Sequence, residues 1–183
     1  MYRISKDHQK GVGLIEVLVA LVVLAIGVLG YVMLQMRALE ATAESAQRVQ
    51  AINIARDLAE RIRVNREGWT FGTTPTSYLT EMSNASKQIN NEDSKDCSIE
   101  FCSGAELADY DVDEIVTFAQ NLGMSMNLMQ CPKQSASSTT NGRYCVYVAW
   151  GNTSATNDAG TTDCTNGASY NTKSTCVIME LYQ

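Results

Sequence analysis

The sequence has one histidine, His8, and two prolines, Pro75 and Pro132, in 183 residues. Positive charge is also scarce: 14 Lys and Arg stand against 20 Asp and Glu, a formal net charge of −6. Each shortage excludes something. Nucleophile–histidine–acid catalysis needs an imidazole to carry the proton, and the chain has none after His8. It also contains no Cys-x-x-Cys pair, so a Cys/His zinc site lacks the usual ligand spacing. A chain this acidic has no electrostatic footprint for a phosphate backbone, and direct nucleic-acid binding is not expected.

Charge is missing most completely from Val17 to Met36, 20 residues in which only Gln35 is clearly polar. A helix of that length, at ~1.5 Å per residue, spans the ~30 Å hydrocarbon core of a bilayer. Soluble helices seldom stay apolar on every face for so long. Arg3, Lys6, His8 and Lys10 precede the run, against Asp7 alone. That bias keeps the N-terminal end in the cytoplasm and sends the rest of the chain out. A secretory signal has an apolar core of roughly 7–15 residues and ends at small residues. Here the run is longer and continues as QMRALEATAESAQ, so the segment is expected to stay on the mature protein.

Cys97, Cys102, Cys131, Cys145, Cys164 and Cys176 all lie in the exported half. An even number outside the membrane points to disulfides in an oxidising compartment. Sequence leaves the connectivity open. Nearness along the chain makes Cys97–Cys102, Cys131–Cys145 and Cys164–Cys176 the simplest arrangement.

Glu16 stands at the edge of the apolar run, where a carboxylate needs explaining. At mid-bilayer such a group costs about 2.5–3.5 kcal/mol, and less toward the interface. It is either wetted by headgroups or matched by a cation. No Lys or Arg follows it until Arg37, so a partner must come from elsewhere. An α-amino group on a neighbouring chain, freed by cleavage just before Val12, would serve.

Lys10-Gly11-Val12-Gly13-Leu14-Ile15-Glu16-Val17 resembles the class III leader of type IV prepilins and pseudopilins. That leader is short and basic and ends in Gly, with Glu at the fifth mature position. The resemblance implies that a prepilin peptidase cuts after Gly11 and methylates the amine of Val12. Glu16 would then pair with the amine of an adjacent subunit during assembly. Val12 and Gly13 replace the Phe and Thr usual in the family. Loss of residues 1–11 removes three basic residues and one acid.

Beyond Arg37 the chain has neither Pro nor Gly until Gly68. Val49, Ile52, Ala55, Leu58, Ala59 and Ile62 fall on one helical face. Arg61, Arg63 and Arg66 suit the C-terminal end of a helix dipole, and Gly68 can supply a left-handed cap. One helix from about Val12 to Arg66, ~80 Å long, is therefore expected, apolar all round first and striped later. Gly27 and Gly30 within it are either glycines of the kind common in membrane helices or sites of close helix packing or local melting. The stripe needs cover, which residues 69–183 must provide.

Within that part, residues 69–96 read as a polar connecting loop with a turn of helix. Asp111 with Glu114 reads as a capping box opening a helix that buries Ile115, Phe118, Ala119 and Leu122. Asp109, Asp111 and Asp113 hint at a calcium loop, but Glu114 stands where its Gly belongs and Gln120 where its Glu belongs. These acids are thus expected to be solvated, as are Glu92 and Asp93, and so to make poor acid–base pairs. Residues 124–131, 143–150 and 175–182 read as strands. Of the 24 residues between Gly151 and Ser174, 16 are Gly, Asn, Thr or Ser, which makes that segment a loop.

Along its whole length the chain resembles a type IV pilin. The run ARDLAERIRVNREGW at 55–69, the Cys-x4-Cys pair, LADYDVDE at 107–114 and VYVAW at 146–150 resemble most the PilV family of type IV pilus modification proteins, which are minor pilins. The resemblance implies an α+β pilin fold, a long N-terminal helix packed on a small antiparallel sheet with disulfide-bonded loops. It divides the chain into a leader (1–11), a transmembrane or filament-core half-helix (12–37), an amphipathic half-helix (38–68) and a globular head (69–183). It implies a structural subunit, not an enzyme, that primes pilus assembly and supports twitching motility, adhesion or DNA uptake. Implied partners are the prepilin peptidase, other minor pilins, the major pilin and, before assembly, the inner membrane. No cofactor is expected. The implied location is single-pass in the inner membrane with a periplasmic head, then the extracellular pilus. A minor pseudopilin of a type II secretion system would carry the same leader; six cysteines and the 151–174 loop favour the pilus.

Overall fold

The computed structural model describes residues 13–69, 77–83, 88, 95–132, 143–158, 160–167 and 169–181. The chain divides into two compact units, Met1–Ser45 and Ala46–Gln183. The described part of the first is helical from Leu14 onward and exposed along its whole length. That helix, α1 (Leu14–Val64), continues into the second unit.

Within the second unit α1 buries Ala51, Ile54, Ala55, Leu58 and Ile62. This stripe is rotated from the one expected: Val49 is exposed and Ile52 and Ala59 are only half-buried. The difference lies in what covers the helix. Positions 51, 54, 55, 58 and 62 share the i, i+3, i+4, i+7 spacing, and they meet the core formed with the helices and sheet below.

Helix α1 ends at Val64, and Gly68 does not provide a left-handed cap. Positive φ among the described glycines occurs at Gly123, Gly151 and Gly167. Gly68 is needed for space instead. A Cβ there would lie 2.6 Å from Asn65 Nδ2 and 2.7 Å from the Gly104 carbonyl oxygen. Gly104 is equally tight, since its Cβ would lie 2.6 Å from that of Glu67. The two glycines let the turn after α1 touch the start of the third helix.

Helix α2 (Ser77–Ser83) lies inside the segment expected to be a connecting loop with a turn of helix. Its Tyr78 and Met82, four residues apart, are both fully buried, so this short helix belongs to the core. Helix α3 (Gly104–Asn121) starts eight residues earlier than expected. Its N-cap is Ser103, with Glu106 completing the capping box: the Ser103 N–H donates to Glu106 at 2.7 Å and the Glu106 N–H to Ser103 Oγ at 3.4 Å. Asp111 is therefore mid-helix and buried, contrary to the expectation of a solvated acid. Of the residues expected to be buried by α3, Ile115 and Ala119 are, Leu122 is half-buried and Phe118 is exposed.

Three strands follow, β1 (Met124–Gln130), β2 (Tyr144–Trp150) and β3 (Cys176–Glu180), in an antiparallel sheet of order β1-β2-β3. Strand β2 is buried on both faces. Val146, Val148 and Trp150 join Met124, Met126 and Leu128 under the helices, and Trp69 packs edge-on against Tyr144 with ring centroids 5.2 Å apart. Cys145, Tyr147 and Ala149 face the other way, onto Ala155 and Cys164 of the segment after β2. This polar segment contains bridges Ser154–Asp163 and Thr165–Tyr170 but no strand among its described residues. It covers the second face of the sheet. The cysteines form Cys97–Cys102, Cys131–Cys145 and Cys164–Cys176.

Candidate functional site

The N-terminal part of α1 presents apolar side chains in every direction. Leu14, Ile15, Leu18, Leu21, Leu24 and Leu29 are all more than half exposed. An 18-residue window of the helix reaches a mean hydropathy of 2.9, and none of that window is buried. Isolated surface leucines are ordinary, but an unbroken sleeve of them requires lipid or other helices around it.

Glu16 is the one charged side chain in the first turn. The Gly13 carbonyl accepts the Glu16 N–H at 2.9 Å and the Val17 N–H at 3.4 Å, which places the carboxylate in the turn that carries the positive end of the helix dipole. It is exposed, so it is available to a cation on another molecule. Gly11 and Val12, the expected processing residues, lie outside the described residues. Gly27 and Gly30 are regular helical positions with open space around the missing Cβ.

The head is held in register by a polar network that the sequence did not announce. Arg61 donates to Asp111 Oδ1 at 2.9 Å, Glu114 Oε2 at 2.6 Å and Asp57 Oδ1 at 3.2 Å. Tyr78 Oη donates to the other Asp111 oxygen at 2.6 Å. Asn65 Nδ2 donates to the Gly104 carbonyl at 2.7 Å and to Tyr78 Oη at 3.3 Å, while its Oδ1 accepts the Gly68 N–H at 3.1 Å. The two sequence runs quoted above for their family resemblance, 55–69 and 107–114, thus meet in space through Arg61 and Asp111. Burial opposes the charge on Arg61, but its three carboxylate partners outweigh that and raise its pKa. Burial and then the bond to Asp111 raise that of Tyr78.

This arrangement decides what the acids can do. Both Asp111 oxygens are occupied, one by a guanidinium and one by a phenol, so the carboxylate has an architectural role and is not poised to move protons. Among the described residues no group of three or more His, Cys, Asp or Glu is placed to hold a metal ion. Glu92 and Asp93 lie outside the described residues. The signal that could have found the network was the burial demanded by helical spacing. Asp111 falls on the same face as Ala108, Val112, Ile115 and Ala119, which are all buried.

Two family models match the chain. Residues 6–32 match the prokaryotic N-terminal methylation motif, and residues 33–113 match the model described as type IV pilin Tt1218. Searches of curated proteins and of solved structures found no match.

Proposed function

We propose that this chain, which matches a type IV pilin model over residues 33–113 and the N-terminal methylation motif over residues 6–32, is a minor pilin of the PilV kind. In this reading the prepilin peptidase removes residues 1–11 and methylates Val12. The mature protein waits in the inner membrane, head in the periplasm. It then joins other minor pilins to prime a pilus used in twitching motility, adhesion or DNA uptake. The supporting observation is the exposed apolar sleeve of α1 with Glu16 alone in its first turn.

Assembly then becomes an exchange of environments. In the membrane the sleeve is covered by lipid and Glu16 lies near the headgroups. In a filament neighbouring helices replace the lipid, and Glu16 needs a cation in a medium of low dielectric. The methylated amine of a neighbour's Val12 supplies it. A pair of that kind sets the axial register of an incoming subunit, because the apolar sleeve alone would slide.

The experiment is mass spectrometry of the protein extracted from membranes of a peptidase-competent cell. The reading predicts a chain that begins at Val12 and bears one methyl group on its amine. A chain retaining Met1 would overturn it.

A further inference from the structure

Among the described residues the sheet is closed at one edge and open at the other. Along β1, α2 packs close, Asn127 Oδ1 accepts the Leu128 N–H at 2.8 Å, and Gln88 donates to the Met126 carbonyl at 3.4 Å. These contacts occupy outward-facing backbone groups and discourage strand addition there. Strand β3 differs. The Leu181 N–H donates to the Tyr144 carbonyl at 2.9 Å and the Trp150 N–H to the Thr175 carbonyl at 3.0 Å. By alternation, Cys176, Ile178 and Glu180 turn their N–H and C=O groups away from β2. The side chain seen to meet this edge is Tyr170, whose hydroxyl accepts the Ile178 N–H at 3.1 Å and which is itself 53% exposed.

Beside this edge lie cations of α1. Arg56 and Arg63 line a groove with Glu60, Met179, Glu180 and Leu181. Arg48 lines a second, of about 450 Å³, with Tyr170 and Val177. Arg63 is engaged by Glu60 at 3.0 Å, whereas Arg48 and Arg56 make no ion pair among the described residues. With Glu60 held by Arg63 and Glu180 held by Arg143 at 3.2 Å, Arg48 and Arg56 are left as unmatched cations next to the strand edge in a chain of net charge −6. A strand edge selects an extended backbone, and the arginines select its charge.

We propose that the β3 edge accepts an extended, acid-rich segment of a partner polypeptide as a fourth strand. Its backbone pairs with Cys176, Ile178 and Glu180, its carboxylates face Arg48 and Arg56, and Tyr170 swings aside to release the Ile178 amide. Main-chain bonds provide affinity that is indifferent to sequence, and the arginines make it selective for acids. The proposal concerns the head alone and does not depend on which filament the protein joins.

The test uses the full-length protein in detergent micelles and a fluorescent peptide of about ten residues, long enough to span a strand, alternating Val and Glu. A peptide with Lys in place of each Glu is the control. The Glu peptide is expected to bind, the Lys peptide not to, and hydrogen exchange to slow at the Cys176 and Glu180 amides on binding. The double variant Arg48→Glu, Arg56→Glu, altered only at exposed side chains, should weaken binding at least about tenfold through like-charge repulsion. Tyr170→Phe, which frees the Ile178 amide, should tighten it. No binding of the Glu peptide, equal binding of the two peptides, or binding without new protection at Cys176 and Glu180 would overturn the proposal.

Discussion

Replacing Asp111 with alanine removes the shared acceptor from the head's polar network. Two donors lose a partner: the Tyr78 hydroxyl at 2.6 Å and one arm of Arg61 at 2.9 Å. Tyr78 is fully buried, so no water replaces the carboxylate, and the unmet hydroxyl costs about 1–3 kcal/mol. The Arg61 side chain is a quarter exposed and keeps Glu114 at 2.6 Å and Asp57 at 3.2 Å, so its share is screened to under about 1 kcal/mol. The expected loss for Asp111→Ala is therefore about 2–3 kcal/mol. Tyr78→Phe removes the donor but leaves the buried Asp111 oxygen that accepted it unmet, and should also cost about 1–3 kcal/mol. The double variant should then cost less than the sum of the two, with a coupling of about 1–2 kcal/mol. The assay is urea unfolding of the full-length protein in micelles, followed through Trp69 and Trp150, both buried in the head. With a slope of ~1–3 kcal/mol per molar urea, the midpoint for Asp111→Ala should fall by about 1 M or more. A loss below about 0.5 kcal/mol, or strict additivity of the two substitutions, would refute the reasoning.

The cap of α3 and the buried phenols can be tested by three further substitutions. Ser103→Ala should destabilise the head by about 1 kcal/mol in the same urea assay, since it removes the N-cap acceptor of α3. Bonds from the Ser103 backbone and side chain lower the Glu106 pKa from its ordinary 4.5. Its contribution is thus complete above that value and fades as pH falls through the lowered one, and Glu106→Gln should flatten the acid limb of a stability–pH curve. Burial raises the Tyr78 pKa and pushes that of Tyr147 up to about 12, with help from nearby Tyr170. The folded head holds these protons more tightly than the unfolded chain. Stability should therefore be steady below the ordinary tyrosine value of 10.0 and decline above it, and Tyr147→Phe should reduce that decline in unfolding scans at stepped alkaline pH.

The sequence made some of this fold plain and concealed the rest for identifiable reasons. Strands β2 and β3 were readable because β-branched and aromatic residues run together at 144–150 and 176–180. The apolar half of α1 was readable because length and the absence of charge allow few alternatives. Helix α3 was misplaced because two segments satisfy the same capping pattern, Ser103 with Glu106 and Asp111 with Glu114. What separates them is tertiary: the close approach of Gly68 and Gly104 fixes the chain just after Ser103. Helix α2 was readable only as an unplaced turn, since seven residues in a polar stretch carry too little periodicity to set its bounds. Asp111 looked solvated because an acid is normally outside, and only the meeting of α1, α2 and α3 supplies Arg61 and Tyr78 as partners. Glu16 needed no such help. A charge alone in an apolar run stands out in the sequence, and the structure leaves it exposed at the start of α1.

That carboxylate is also where the account can be tested most directly. In a strain where only this subunit carries Glu16→Ala, immunoblots of sheared pili are compared with blots of membranes. Removing one member of a buried charge pair leaves the other uncompensated, at a cost of about 3–5 kcal/mol, or more than about two orders of magnitude in association. The account predicts a variant that is processed and held in the membrane at normal levels yet absent from the sheared pili. Wild-type amounts of the variant in the sheared pili would contradict it.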